Sequence, residues 1–150
     1  MNSQFEIKPV KMSQLLIVSD KPSQYEILAS VLIDAGFKVS QCADFDQVNE
    51  YIESHKASLV IIDLDYTQTI VNGFDICTTI RRCFDLPIIM LATKAKNKER
   101  IRGFYLGADD FISKPLSLPE LILRIVNLLK RSQPRSSPQL LVDHRIKLIE

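Results

Sequence analysis

Cysteine and histidine are scarce in this chain of 150 residues: Cys42, Cys77 and Cys83, and His55 and His144. The cysteines are odd in number, none forms a C-x-x-C pair, and no histidine sits near one. That excludes a zinc ligand set and a disulfide scaffold and leaves reduced, buried thiols. Neither sign of charge is in excess, since 19 Lys plus Arg face 18 Asp plus Glu, a formal charge of +1. A chain so balanced is not, as a whole, an electrostatic clamp for nucleic acid, so contact with DNA has to come from a segment outside this one. Apolar runs reach only about five residues, against the ~20 needed to cross a bilayer. The opening stretch mixes Glu6, Lys8, Pro9 and Lys11 and has no signal-peptide core. A soluble, cytoplasmic protein with no membrane partner is expected. Also missing are a Walker-type loop, a G-x-G-x-x-G turn, and any suitably placed Ser–His or Cys–His pair, which leaves little ground for nucleotide binding or hydrolysis.

What is present is ordinary for one globular domain: 46% hydrophobic and 25% charged residues. At this length a fold hides roughly 68–70% of its unfolded surface, enough for a core without staples. Short apolar runs alternate with amphipathic stretches. Leu15–Val18, Leu59–Ile62 and Ile88–Leu91 are continuous runs of buried-strand type. Phe37–Ser40 alternates like an edge strand, and Phe111-Ile112 makes a short fifth strand. Pro22 suits a helix start, and Ile27, Leu28, Val31, Leu32 and Ala35 recur at helical spacing before Gly36. Phe45, Val48, Tyr51 and Ile52 form a second stripe. Asn72-Gly73 reads as a tight turn before a third helix with Phe74, Cys77, Ile80 and Phe84. A basic helix follows with Ile101, Phe104 and Tyr105 expected inward, ending near Gly107. Ser117 and Glu120 have capping-box spacing ahead of a last helix with Leu121, Ile125, Leu128 and Leu129 facing inward.

The pattern is βα repeated five times: an α/β class, doubly wound, five-stranded parallel sheet of flavodoxin-like order 2-1-3-4-5. Residues 1–13 read as an N-terminal extension and 14–131 as the domain. Residues 132–139 are polar and contain two prolines, as a linker does. Residues 140–150, with Leu140–Val142 and Ile146–Ile149, read as the start of a second domain cut short.

In such sheets the working groups lie beyond the carboxyl ends of the strands. That rule selects Ser19-Asp20, Asp63, Ala92-Thr93 and Ser113-Lys114. Two carboxylates beside an ammonium group suit a hard divalent ion and a phosphoryl group. An Asp carboxylate can also be the nucleophile that forms an acyl phosphate.

These segments, with Leu86–Leu91 and Gly107–Pro115, stand in an order and spacing that resemble the receiver domain of a two-component response regulator, over about Gln14 to Arg131. The resemblance implies that Asp63 is the phosphoacceptor and Lys114 the phosphate contact. It also implies that Asp20, Asp63 and the main-chain carbonyl of Asp65 hold Mg²⁺, and that the bond before Pro115 is cis. Helix end, linker and incipient strands resemble the OmpR/PhoB type, in which a winged-helix domain binds DNA. Three departures stand out. Ser19 replaces an acid and can reach Mg²⁺ only through water, so the metal site is expected to be weaker than usual. Ala92 occupies the switch hydroxyl position, with Thr93 one place on. The loop from Asp63 to Gly73 is longer than usual and lacks the expected proline. Phe111 takes the switch aromatic position.

The resemblance further implies a sensor histidine kinase as phosphoryl source and a homodimer through the fourth helix, fifth strand and fifth helix. The residues matching that face are Arg100, Tyr105, Asp109, Asp110, Glu120, Arg124 and Val126, with Arg100 opposite Glu120 and Asp109 or Asp110 opposite Arg124. Two functions stay open: a switch driven by phosphorylation of Asp63, and a pseudo-receiver that dimerises without phosphate. An enzyme acting on a small substrate is not implied.

Overall fold

A computed structural model describes residues 13–132. Apart from Ser13 and Ser132, the expected extension, linker and second-domain start lie outside the described residues. In chain order the elements are β1 (Gln14–Val18), α1 (Pro22–Asp34), β2 (Lys38–Cys42), α2 (Val48–His55) and β3 (Leu59–Asp63). They continue with α3 (Ile70–Cys83), β4 (Ile88–Ala92), α4 (Asn97–Tyr105), β5 (Asp110–Ser113) and α5 (Leu118–Ser132). The strands are parallel and ordered β2-β1-β3-β4-β5, as the alternation of runs predicts.

Strand alternation sends successive residues to opposite faces, and both faces are covered. Leu16, Val18, Val60, Ile62, Ile88, Met90 and Phe111 pack with Val48 and Ile52 of α2 and Phe74, Cys77 and Ile80 of α3. Leu15, Ile17, Leu59, Ile61, Ile89, Leu91 and Ile112 pack with Leu28 and Leu32 of α1 and with Leu121, Ile125 and Leu129 of α5. Burying both faces explains why β1, β3 and β4 read as unbroken apolar runs. β2, at the edge, is mostly polar in sequence and only partly covered.

Several expectations are corrected. Asn72 and Gly73 are not a turn but part of the first turns of α3. Thr69 caps that helix by accepting from the Asn72 N–H at 3.0 Å, and the Asn72 amide donates to the Thr67 carbonyl at 2.7 Å. Gly73 is required by approach, since a Cβ there would run into Leu64 and Thr67. α4 does not turn Ile101, Phe104 and Tyr105 inward: Ile101 is 68% and Tyr105 85% exposed, and Phe104 is also exposed. Gly103 is the buried residue of α4, and its Cα face lies against Met90 and Phe111. Residues 101 and 105 are two positions away, about 200° around the helix, so they face solvent.

Val126, expected on the surface, is 3% exposed and packs under the sheet with Ile125 and Leu129. α5 runs through Ser132, one residue into the expected linker. Its start keeps half of the capping box: the Glu120 N–H donates to Ser117 Oγ at 3.4 Å, while the Glu120 carboxylate turns to Arg124 at 2.8 Å. All three cysteines are free thiols; Cys42 and Cys77 are buried, and burial pushes both up to about 11, but Cys83 is exposed.

Candidate functional site

Asp63 ends the central strand and is 5% exposed, with a neighbouring strand on each side, β1 and β4. Of the residues chosen from the sequence, Lys114 contacts it directly. Lys114 follows β5 and donates to both carboxylate oxygens of Asp63, at 2.9 Å to Oδ1 and 2.8 Å to Oδ2. Its backbone N–H donates to the Ala92 carbonyl at 2.9 Å, and the Lys114–Pro115 bond is cis, as the resemblance implies. Asp20 is exposed at the end of β1, and its N–H donates to the Tyr66 carbonyl at 2.9 Å, tying that strand end to the turn after β3.

Ser19 is 1% exposed, and its hydroxyl accepts from the Lys21 N–H at 3.2 Å while its carbonyl accepts from Gln41 at 2.8 Å. The side chain is thereby used in starting α1. Ala92 is buried, and Thr93 turns out at the end of β4, as alternation along a strand requires. Phe111 is buried, under the Arg100 guanidinium at 5.2 Å from the ring centroid and beside the Phe104 ring at 6.4 Å.

The side chain of Asp65 is the part that sequence reasoning missed, since only its carbonyl was considered. A single 3-10 turn, Leu64–Tyr66, starts with the Asp65 N–H donating to Asp63 Oδ1 at 3.2 Å. The turn brings the Asp65 carboxylate back beside the strand ends. There Lys114 Nζ lies 3.0 Å from Oδ2, Thr93 Oγ1 donates to Oδ2 at 2.6 Å, and the Thr93 N–H donates to Oδ1 at 3.2 Å. Tyr66, also unassigned, places its ring 4.9 Å below the Lys114 ammonium. The only sequence signal was an acid two residues after a strand-end acid.

One ammonium therefore serves two carboxylates of unequal burial. Burial pushes the Asp63 carboxyl above the ordinary range, with Lys114 offsetting part of that shift. Burial also acts on Asp65, but the Thr93 donors and Lys114 more than offset it and hold its carboxyl below the ordinary range. Burial alone would lower Lys114; the carboxylates of Asp63 and Asp65 reverse this and raise it.

The donors present are hard oxygens, the kind Mg²⁺ takes while keeping several of its waters. The carboxylates of Asp20 and Asp63 are donors of that kind. Among the described residues no three His, Cys, Asp or Glu side chains converge as a ready-made metal cage. Lys114 already shares the Asp63 carboxylate.

On the outer face the charged residues matched to a dimer surface are engaged within the chain. Arg124 holds Asp110 at 2.8 Å and Glu120 at 2.8 Å. Asp109 pairs with Arg81 at 2.7 Å and accepts from the Ile88 N–H at 2.8 Å, while the Arg100 guanidinium lies over the Phe111 ring.

Residues 15–126 match the family model for the response regulator receiver domain. The transcriptional regulatory protein BaeR of an Escherichia coli strain is 33% identical over 126 residues, covering 84% of this chain and 52% of BaeR. The alkaline phosphatase synthesis transcriptional regulatory protein SphR of Synechococcus elongatus is 34% identical over 148 residues, covering 91% of this chain and 57% of SphR. The chain thus spans about half the length of the curated relatives it matches. Among solved structures, the receiver domain of the TMAO respiratory system response regulator TorR superposes with a TM-score of 0.72 at 30% identity, covering 81% of this chain and 99% of that one. Fold, site geometry and relatives agree, and the chain belongs to the response regulator receiver domain family.

Proposed function

We propose that this domain accepts a phosphoryl group on Asp63 from a sensor histidine kinase and uses it to control dimerisation of a DNA-binding transcription regulator of the OmpR/PhoB type. The DNA-binding part would follow the linker, and the protein would work in the cytoplasm. The observation that carries the reading is the bidentate Asp63–Lys114 pair at the end of the central strand. A carboxylate oxygen of Asp63 attacks phosphorus; the O–P bond forms as the bond from phosphorus to the donor breaks, and the leaving group keeps that electron pair. Lys114 stays within reach to offset charge on the transferred group. Asp20, Asp63 and the Asp65 carbonyl would hold Mg²⁺, which would supply positive charge to offset that of the phosphoryl group.

The proposed dimer surface is α4, β5 and α5. Ile101, Phe104 and Tyr105 form an exposed apolar row on α4, and Arg124 of α5 is paired with Asp110 and Glu120. Such a row gains by burial at about 25 cal/mol per Å². Phos-tag electrophoresis with acetyl phosphate and Mg²⁺ tests the phosphoacceptor, with Asp63→Ala as control. A retarded band in the wild type and not in the control is expected. No retarded band in either would reject the phosphorylation reading and favour a phosphate-independent dimerisation module.

A further inference from the structure

The Asp65 carboxylate joins three loops at once. Thr93, after β4, donates to it through its hydroxyl at 2.6 Å and its N–H at 3.2 Å, and Lys114, after β5, lies 3.0 Å away. A cation and a hydroxyl donor beside Asp63 are the two kinds of group a phosphoryl oxygen needs. Both are already satisfied here by an anion that the chain supplies itself. Ala92 has no hydroxyl, so Thr93 is the residue at the end of β4 that can respond.

We propose that Asp65 is a built-in anion that latches the loop after β4 through Thr93 and competes with a phosphoryl group for Lys114. The inference rests on Asp63 being the phosphoacceptor. Transfer replaces the Asp63 carboxylate by an acyl phosphate carrying more negative charge, and Lys114 must follow that charge. Asp65 then faces a like charge with less of its cation. The unphosphorylated arrangement is thereby favoured, and Thr93 stays with Asp65 until that balance shifts. Asp65 is a positioning residue acting through Lys114 and Thr93.

Two variants separate its charge from its shape. Asp65→Asn keeps an acceptor oxygen for Thr93 but loses the charge; Asp65→Ala loses both. Amide hydrogen exchange at Thr93, followed by NMR in the unphosphorylated protein, should speed up about tenfold in Asp65→Ala and change little in Asp65→Asn. Equal exchange in the wild type and Asp65→Ala overturns the latch. The initial rate of phosphorylation by acetyl phosphate with Mg²⁺ should rise about fivefold in Asp65→Asn, and that gap should shrink in high salt because it is a charge effect. A rate equal to or below the wild type overturns the competition. If wild type and variants all stay unphosphorylated while Asp65→Ala frees Thr93, the Asp63 reading falls, and the competition with it, but the latch stands.

Discussion

Three residues set the electrostatics of the site. Because Lys114 is the ammonium held by both oxygens of the buried Asp63, its removal leaves a carboxylate stranded. Lys114→Ala should destabilise the domain by about 1–3 kcal/mol, and Asp63→Asn in the same chain should restore most of it, measured as a double-mutant cycle in urea. The pH dependence has a definite sign. Asp63 binds its proton more tightly folded than unfolded, so ionising it costs the native state, and this cost grows as pH rises above the ordinary value of 3.8. Asp65 behaves oppositely: its contribution is present above 3.8 and lost as pH falls through its lowered folded value. The urea midpoint of Asp63→Asn should therefore gain on the wild type as pH rises from the ordinary value of 3.8 through the raised folded value of Asp63; a constant difference would reject that assignment. Ser19→Asp adds a charged donor next to Asp20 and should tighten Mg²⁺ binding by up to about tenfold in calorimetry. Unchanged affinity would mean that side chain 19 stays turned to Lys21.

At the scale of elements, α4 and α5 exchange the roles expected of their apolar residues. α4 touches the sheet through Gly103 and keeps Ile101 and Tyr105 outside, while α5 keeps Val126 inside. Val126→Ala should lower stability by about 1.5–2 kcal/mol, from two buried methylenes' worth of surface. Tyr105→Glu should leave monomer stability within about 0.5 kcal/mol yet weaken the dimer in sedimentation. A wild type that is monomeric at every concentration would remove α4 as a dimer surface. The difference in legibility is physical. α5 is long, and its apolar period is unbroken. α4 is nine residues with few apolar positions, so its stripe could be read onto either side.

For the whole molecule, the question is how strongly Asp63 couples to the outer face. Phe111 is already inward, between Arg100 and Phe104, and Ala92 has no hydroxyl to offer a phosphoryl oxygen. A charge-assisted hydrogen bond of that kind contributes roughly 1.5–3 kcal/mol, and a ligand shifts an equilibrium only by its differential affinity for the two states. Beryllofluoride should therefore change the dimer constant of the wild type less than about tenfold, and that of Ala92→Thr more. A large wild-type shift that Ala92→Thr leaves unchanged would place the coupling on Thr93.

The sequence by itself determined the doubly wound fold, because β1, β3 and β4 are buried on both faces and so appear as unbroken apolar runs between helical stripes. It also determined Asp20, Asp63 and Lys114, because strand ends in such a sheet share one rim and that rim can be located from the runs. It did not reveal that Asn72 and Gly73 are helical: the cap is Thr69 and the close neighbours are Leu64 and Thr67, contacts that no dipeptide rule contains. Nor did it reveal the Asp65 carboxylate at the site. A one-turn 3-10 segment decides where that side chain points, and Thr93 and Lys114 reach it from 28 and 49 residues away in the chain, a meeting that only packing of the sheet produces.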